Sequence, residues 1–122
     1  MLSIRPLDER VPIQQQLGDA ANPVVLVNIF TVTPADVDQL LAAWESDANW
    51  MKKQPGYISA QLHRGIAGSC IFLNYVVWQS VEHFRRAFTN PEFQNALAAY
   101  PSTASASPHL FEKIRVSNIC TK

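Results

Sequence analysis

Residues Ile71 to Ser80 read I-F-L-N-Y-V-V-W-Q-S. β-branched and aromatic residues in succession, ending at a serine suited to cap a helix, predict a strand that runs directly into a helix. Side chains alternate along a strand, so Phe72, Asn74, Val76 and Trp78 share one face and Ile71, Leu73, Tyr75 and Val77 the other. Both faces are largely apolar, and one amide interrupts the first of them. A buried amide needs partners, which makes Asn74 either part of a structural network or a group aimed at a ligand. Trp78 places an indole N–H on the same face, about 13 Å further along at roughly 3.3 Å per residue. Such a face suits a flat molecule with a polar edge.

Working outward, Val24 to Val32 is a second strand of the same kind, with Leu26, Asn28 and Phe30 on one face and Val25, Val27 and Ile29 on the other. Thr33-Pro34-Ala35-Asp36 opens a helix, with Thr33 as N-cap and Pro34 at its first position. Val37, Leu40, Leu41, Trp44, Ala48 and Met51 form its buried stripe, Trp50 lies off the centre of that stripe, and Gln54-Pro55-Gly56 ends it. Tyr57 to Arg64 is a strand joined through Gly65-Ile66-Ala67-Gly68 to the strand from Ile71 to Trp78. Ser80 caps a short helix with Val81, Phe84 and Phe88 inward, and Asn90-Pro91 restarts a second helical segment. Pro101 to Pro108 reads as a loop of small residues with nothing to pack, and His109 to Cys120 as a final strand.

The resulting order is strand, helix, strand, strand, helix, strand. This predicts an α+β, ferredoxin-like split βαβ fold: a four-stranded antiparallel sheet with two helices on one face. Two strands are apolar on both faces, yet the helices cover only one. A second copy of the sheet is the natural cover, so a homodimer in the form of a dimeric α+β barrel is expected. Residues 1–22, with Leu2, Ile4, Leu7, Val11, Ile13 and Leu17, read as an extended N-terminal arm lying along residues 23–122, the domain proper.

At 122 residues the chain makes one domain, 48% apolar and 16% charged, with ten basic residues balancing ten acidic ones. A neutral chain without a basic run points away from nucleic acid and anionic membrane surfaces as partners. No apolar stretch approaches the roughly 20 residues that span a bilayer. Arg5, Asp8, Glu9 and Arg10 sit where a signal peptide would carry its apolar segment. Cys70 and Cys120 form no CxxC motif and read as idle thiols, which together with the leader region predicts a cytoplasmic location. No Walker, dinucleotide-binding or Ser/His/Asp pattern is present.

The run Q-P-G-Y-I-S-A-Q-L-H after a helix bearing Trp50, followed by N-Y-V-V-W-Q-S-V-E-H-F-R, resembles the antibiotic biosynthesis monooxygenase family of dimeric α+β barrels. The resemblance covers about Val24 to Ile114 and is closest to the cofactor-independent, quinone-forming enzymes of aromatic polyketide pathways. It implies oxidation of an anthrone-type or phenolic ring carbon by molecular oxygen, with no flavin, haem or metal. The family's Asn, three residues, Trp motif stands here as Asn74 and Trp78, and a first-strand Asn is matched by Asn28. These three are the expected catalytic residues. Phe84 occupies a position where the polyketide enzymes can carry Tyr, and Arg85 follows it. Phe84, Arg85, Phe72, Trp50 and Phe30 complete the expected substrate-binding set.

The chemistry is coherent. An electron-rich enolate or phenolate can itself reduce oxygen, provided the protein stabilises the ring anion and keeps water from the peroxide that follows. The amides and the indole are suitable neutral donors; none of them is a strong base, and the proton acceptor is unassigned. Buried asparagines also serve structural ends, and Trp78 could be core. His63 and His83 read as surface residues, and His109, at the start of a strand, carries no functional reading. A non-catalytic small-molecule-binding barrel is the alternative function. A haem-degrading oxygenase would need a histidine ligand within Phe84 to Tyr100, and none is there.

Overall fold

The computed structural model describes residues 1–121. Its elements are β1 (Ser3–Ile4), α1 (Ile13–Gln16), β2 (Val24–Thr31), α2 (Val37–Met51), β3 (Tyr57–Arg64), β4 (Ile71–Trp78), α3 (Val81–Phe88), α4 (Pro91–Ala96) and β5 (Ser105–Phe111). One sheet runs in the order β1-β5-β2-β4-β3. The β2–β4, β2–β5 and β3–β4 pairs are antiparallel, as the split βαβ order requires, and α2, α3 and α4 pack on one face.

The sheet is nevertheless five-stranded and mixed, not four-stranded and antiparallel. The addition comes from the arm, whose Ser3 and Ile4 pair in parallel with Ser105 and Ala106. Leu2 is buried in the core beside them. The rest of the arm is not simply extended, because α1 forms a single turn and buries Ile13. Gln16 then completes the docking. Its amide donates to the Leu110 carbonyl at 2.9 Å and accepts from the Leu110 N–H at 2.8 Å, the two bonds a neighbouring strand would make. The Arg85 guanidinium donates to the Leu17 carbonyl at 2.7 Å.

The final strand also differs from expectation. It starts inside the small-residue stretch and ends at Phe111, and residues 112–121 are exposed and irregular. Ala104, Ala106 and Pro108 are buried, because small side chains let Leu2 and the arm lie flat on this edge. Proline survives in the strand for a backbone reason. Ala106 and Leu110 turn their polar groups outward to Arg5 and Gln16, so Pro108, in phase with both, would aim its missing N–H at the open edge.

Local signals upstream behave as read. The Ser80 hydroxyl accepts from the His83 N–H at 3.2 Å and the Asn90 side chain from the Glu92 N–H at 2.9 Å, capping α3 and α4. Thr33 differs. Its hydroxyl bonds the Asp36 carboxylate, and a 3₁₀ turn over Pro34–Asp36 leads into α2.

The core is divided. Phe30, Phe72, Leu40, Ala43, Leu97 and Tyr100 belong to one buried cluster; Leu26, Val76, Trp78, Val81, Phe84 and Leu110 belong to another. The division follows the strands. On β2, Leu26 and Phe30 lie in different clusters with Asn28 between them; on β4, Phe72 and Val76 do the same around Asn74. Asn28 and Asn74 are direct cross-strand partners, with Pro108 beyond Asn28 and Leu62 beyond Asn74. A polar row therefore crosses the sheet between two apolar lobes. The opposite face carries Val25, Val27, Ile29, Leu73 and Val77 half-buried and Tyr75 at 41% exposure, with no helix over it.

Candidate active site

Where the polar row separates the lobes, a cavity of about 70 Å³ opens between the sheet and the helices. Asn28 and Asn74 form its floor on the sheet. Leu2, Phe30, Leu97 and Tyr100 wall it from one lobe and Leu26, Val76, Trp78 and Phe84 from the other; Trp44, Met51, Phe88 and Phe93 close the helix side. Trp78 is 1% exposed and fixed edge-on between two rings, with Tyr57 at 5.7 Å and Phe84 at 5.8 Å between centroids.

The polar atoms here are unusual. Asn28 Oδ1, Asn74 Oδ1, Trp78 Nε1 and Asp47 Oδ2 are all buried without a hydrogen-bond partner among the described residues. All four belong to residues lining this one cavity. An unsatisfied buried polar atom costs about 1–3 kcal/mol, so their convergence is a property of the site rather than packing noise. A fifth such atom, His109 Nδ1, lies on the other face of the sheet, where Gln16 meets the ring through Nε2 at 3.2 Å.

Of the residues expected to form the site, the structure brings together Asn28, Asn74, Trp78, Phe30 and Phe84. It does not bring in Phe72, Trp50 or Arg85. Phe72 is committed to the first lobe, with the Arg64 guanidinium carbon 5.2 Å from its ring centroid. Trp50 turns outward: its indole donates to Glu92 Oε2 at 2.7 Å and its ring stacks on Phe93. Arg85 is engaged with the arm at Leu17, so it offers no anchor to a substrate carboxylate in the cavity. His83 binds the Ser80 hydroxyl at 2.6 Å outside the cavity, and His63 sits on the exposed β3 beside the Leu73 carbonyl.

Asp47 and Tyr100 are among the lining residues that were not anticipated. Asp47 is a carboxylate only 7% exposed, and it interacts with the Tyr100 phenol. Burial pushes the Asp47 carboxyl above its ordinary value of 3.8, and the interaction with Tyr100 draws it part of the way back. Burial raises the Tyr100 phenol far above its usual range, and the neighbouring Asp47 charge and hydrogen bond add to this. The signal for Asp47 was present in its spacing. Leu40, Trp44, Asp47 and Met51 follow one another at intervals of four, three and four, so the acid lies within the helix's apolar stripe. Its place on α2 is over the gap between the lobes.

Among the described residues no histidine lines the cavity, and no group of three or more His, Cys, Asp or Glu is placed to hold a metal ion. No helix is long and apolar enough to cross a membrane. The arrangement can hold a planar ring between aromatic walls and meet its polar edge with two amides, an indole N–H and a carboxyl group.

Known proteins share this fold. A deoxynogalonate monooxygenase of Streptomyces nogalater is 29% identical over 103 residues, 83% of this chain and 85% of that protein. The crystal structure of SnoaB, a cofactor-independent oxygenase from the same organism, superposes with a TM-score of 0.67 at 26% identity, over 80% of this chain and 99% of its own. A structure described as a putative monooxygenase from Shewanella loihica PV-4 is 32% identical, with a TM-score of 0.67, over 81% of this chain and 100% of that one. The sequence pattern of the antibiotic biosynthesis monooxygenase family matches residues 23–99, from the start of β2 through α4 to the turn before Tyr100, and the chain belongs to that family.

Proposed function

We propose that the protein is a cofactor-independent monooxygenase that converts an anthrone-type or phenolic aromatic substrate to a quinone with molecular oxygen. The observation that carries this reading is the convergence of unpartnered amide and indole groups on one aromatic-walled cavity. Asn28, Asn74 and Trp78 are the catalytic donors: their hydrogen bonds strengthen as negative charge develops on the ring oxygen and then on the peroxide. For an anthrone the balance is a ring CH₂ plus O₂ giving a ring C=O plus water, a four-electron oxidation of carbon matched by the four-electron reduction of oxygen. Phe30 and Phe84 hold the ring by its faces. SnoaB's being a cofactor-independent oxygenase supports this direction.

The half-buried Met51, Phe88 and Phe93 flank the cavity on its helix side, where a ring would enter. The working unit is a homodimer in the cytoplasm, joined through the uncovered sheet face around Val27 and Tyr75, where an apolar surface of this kind calls for a partner. Oxygen uptake with anthrone in the presence of a chelator tests the reading. Turnover to anthraquinone by dialysed, colourless protein is expected; no uptake above the buffer rate with anthrones or hydroxynaphthalenes would remove it.

A further inference from the structure

The reading above leaves open which group takes the substrate's proton, and it is on that reading that this inference rests. Neither amide is a base, and the Trp78 N–H only donates. Three titratable residues line the cavity: Asp47 from α2, Tyr57 from β3 and Tyr100 from the segment after α4. The neighbours of Asp47 on α2 that face the cavity, Trp44, Ala48 and Met51, are neutral, as are Asn28 and Asn74 opposite. The carboxyl of α4, Glu92, is turned away onto Trp50. Asp47 is thus the one carboxyl group among the lining residues. Its Oδ2 is buried, unpartnered and at the same gap as the two amides.

We propose that Asp47 is the general base of the site, and that Tyr100 positions it. In the first step the substrate C–H (or phenolic O–H) bond breaks, the proton goes to Asp47 Oδ2, and the electron pair stays in the ring as an enolate or phenolate. The carboxylate becomes neutral as the ring becomes negative, so total charge in the buried cavity is unchanged. Oxygen then takes the ring electrons to form a carbon–peroxide bond, and the proton on Asp47 passes to the terminal peroxide oxygen. For an anthrone, Asp47 next removes the remaining C–H proton. The C–H electrons form the carbonyl, the O–O bond breaks, and the departing hydroxide takes a proton to leave as water. One group cycling between acid and base serves every proton transfer.

The environment suits that cycle. A carboxyl raised by burial is a stronger base than an exposed one, which brings it nearer the pH at which proton transfer is efficient. The interaction with Tyr100 favours the carboxylate form, and Oδ2 has no partner among the described residues. The phenol itself stays protonated because burial and the Asp47 charge oppose its ionisation.

The test uses anthrone and two variants. With oxygen excluded, the parent protein is expected to accelerate exchange of the anthrone methylene protons with D₂O, read by NMR. Asp47→Asn, which keeps the shape, should reduce both this exchange and aerobic oxygen uptake by about 10²–10⁴-fold, the usual contribution of a positioned base. The same variant should melt no lower than the parent at pH 7, since it removes a buried charge. Tyr100→Phe removes the phenol whose interaction lowers the Asp47 pKa, so the rising limb of its rate–pH profile should move to higher pH. A folded Asp47→Asn that exchanges and turns over like the parent overturns the assignment alone, as does a Tyr100→Phe limb that stays in place. A parent that neither exchanges the probe nor consumes oxygen overturns the functional reading and this assignment together.

Discussion

Replacing Trp78 by Phe removes one indole N–H and part of a ring, and the two losses have separable consequences. Trp78 is the largest fully buried side chain, yet its N–H meets no acceptor among the described residues. No protein hydrogen bond is therefore lost. The volume removed is about 40 Å³, which at roughly 24 cal/mol per Å³ of cavity costs about 1 kcal/mol. Loss of edge contacts to Tyr57 and Phe84 adds to this, while removing an unsatisfied donor returns a similar amount. The melting temperature should accordingly stay within roughly 3–5 °C of the parent for a domain of this size. If the indole donates to the developing oxyanion, kcat should fall about 10²–10³-fold, the equivalent of roughly 2.7–4 kcal/mol. Oxygen-electrode rates with anthrone and a thermal melt on one preparation give both numbers. Unchanged kcat, or activity lost only in step with a collapsed melt, would refute the donor role and leave Trp78 as a packing residue.

Sedimentation at micromolar concentration should give twice the 13.6 kDa chain mass, and a stable soluble monomer would refute the pairing through the Val27–Tyr75 face. Gln16→Ala deletes both bonds to Leu110, each contributing about 0.5–1.5 kcal/mol, and should speed hydrogen exchange at the Leu110 amide without moving KM. Arg85→Met should lower stability by about 1.5–3 kcal/mol through the lost charged bond to Leu17, with KM for an acidic substrate unchanged. Stability should also respond to pH through Asp47. Its folded pKa is raised, so the stability it contributes is full below its unfolded value of 3.8 and is lost as pH climbs through the folded value. The melting advantage of Asp47→Asn over the parent should therefore grow with pH across that window.

The parts of this fold that were legible in the chain are those written locally. β4 and β2 declare themselves through β-branched and aromatic runs, and Ser80 and Asn90 announce their helices by cap chemistry that acts within three residues. Asn28, Asn74 and Trp78 could be placed on one face because a strand's alternation is rigid. Their meeting across two strands, with Asn28 directly opposite Asn74, is a matter of register that no single strand encodes. β5 was misread for the same reason. Ser105-Ala106-Ser107-Pro108 has loop composition, and only burial under Leu2 turns it into sheet. Asp47 was overlooked because a charge on a helix ordinarily points to water, although its spacing with Leu40, Trp44 and Met51 placed it inward. Arg85 and Trp50 lay at plausible positions, but a long side chain goes to its best partner, and Leu17 and Glu92 supplied one to each.

The pairing of β1 with β5 imposes an order of assembly. Ser3 and Ser105, partners in the register, are 102 positions apart (105 − 3), so residues made early wait for residues made late. During synthesis β2, α2, β3 and β4 can associate first, which already sets Asn28 against Asn74 beneath Asp47. The wall formed by Leu2, Ile4 and Pro108 is absent until β5 emerges and the arm finds it. Contacts of such long sequence separation form slowly. The nascent domain therefore holds its polar row complete but open to water on one side, and closure of the cavity is the event that finishes the fold.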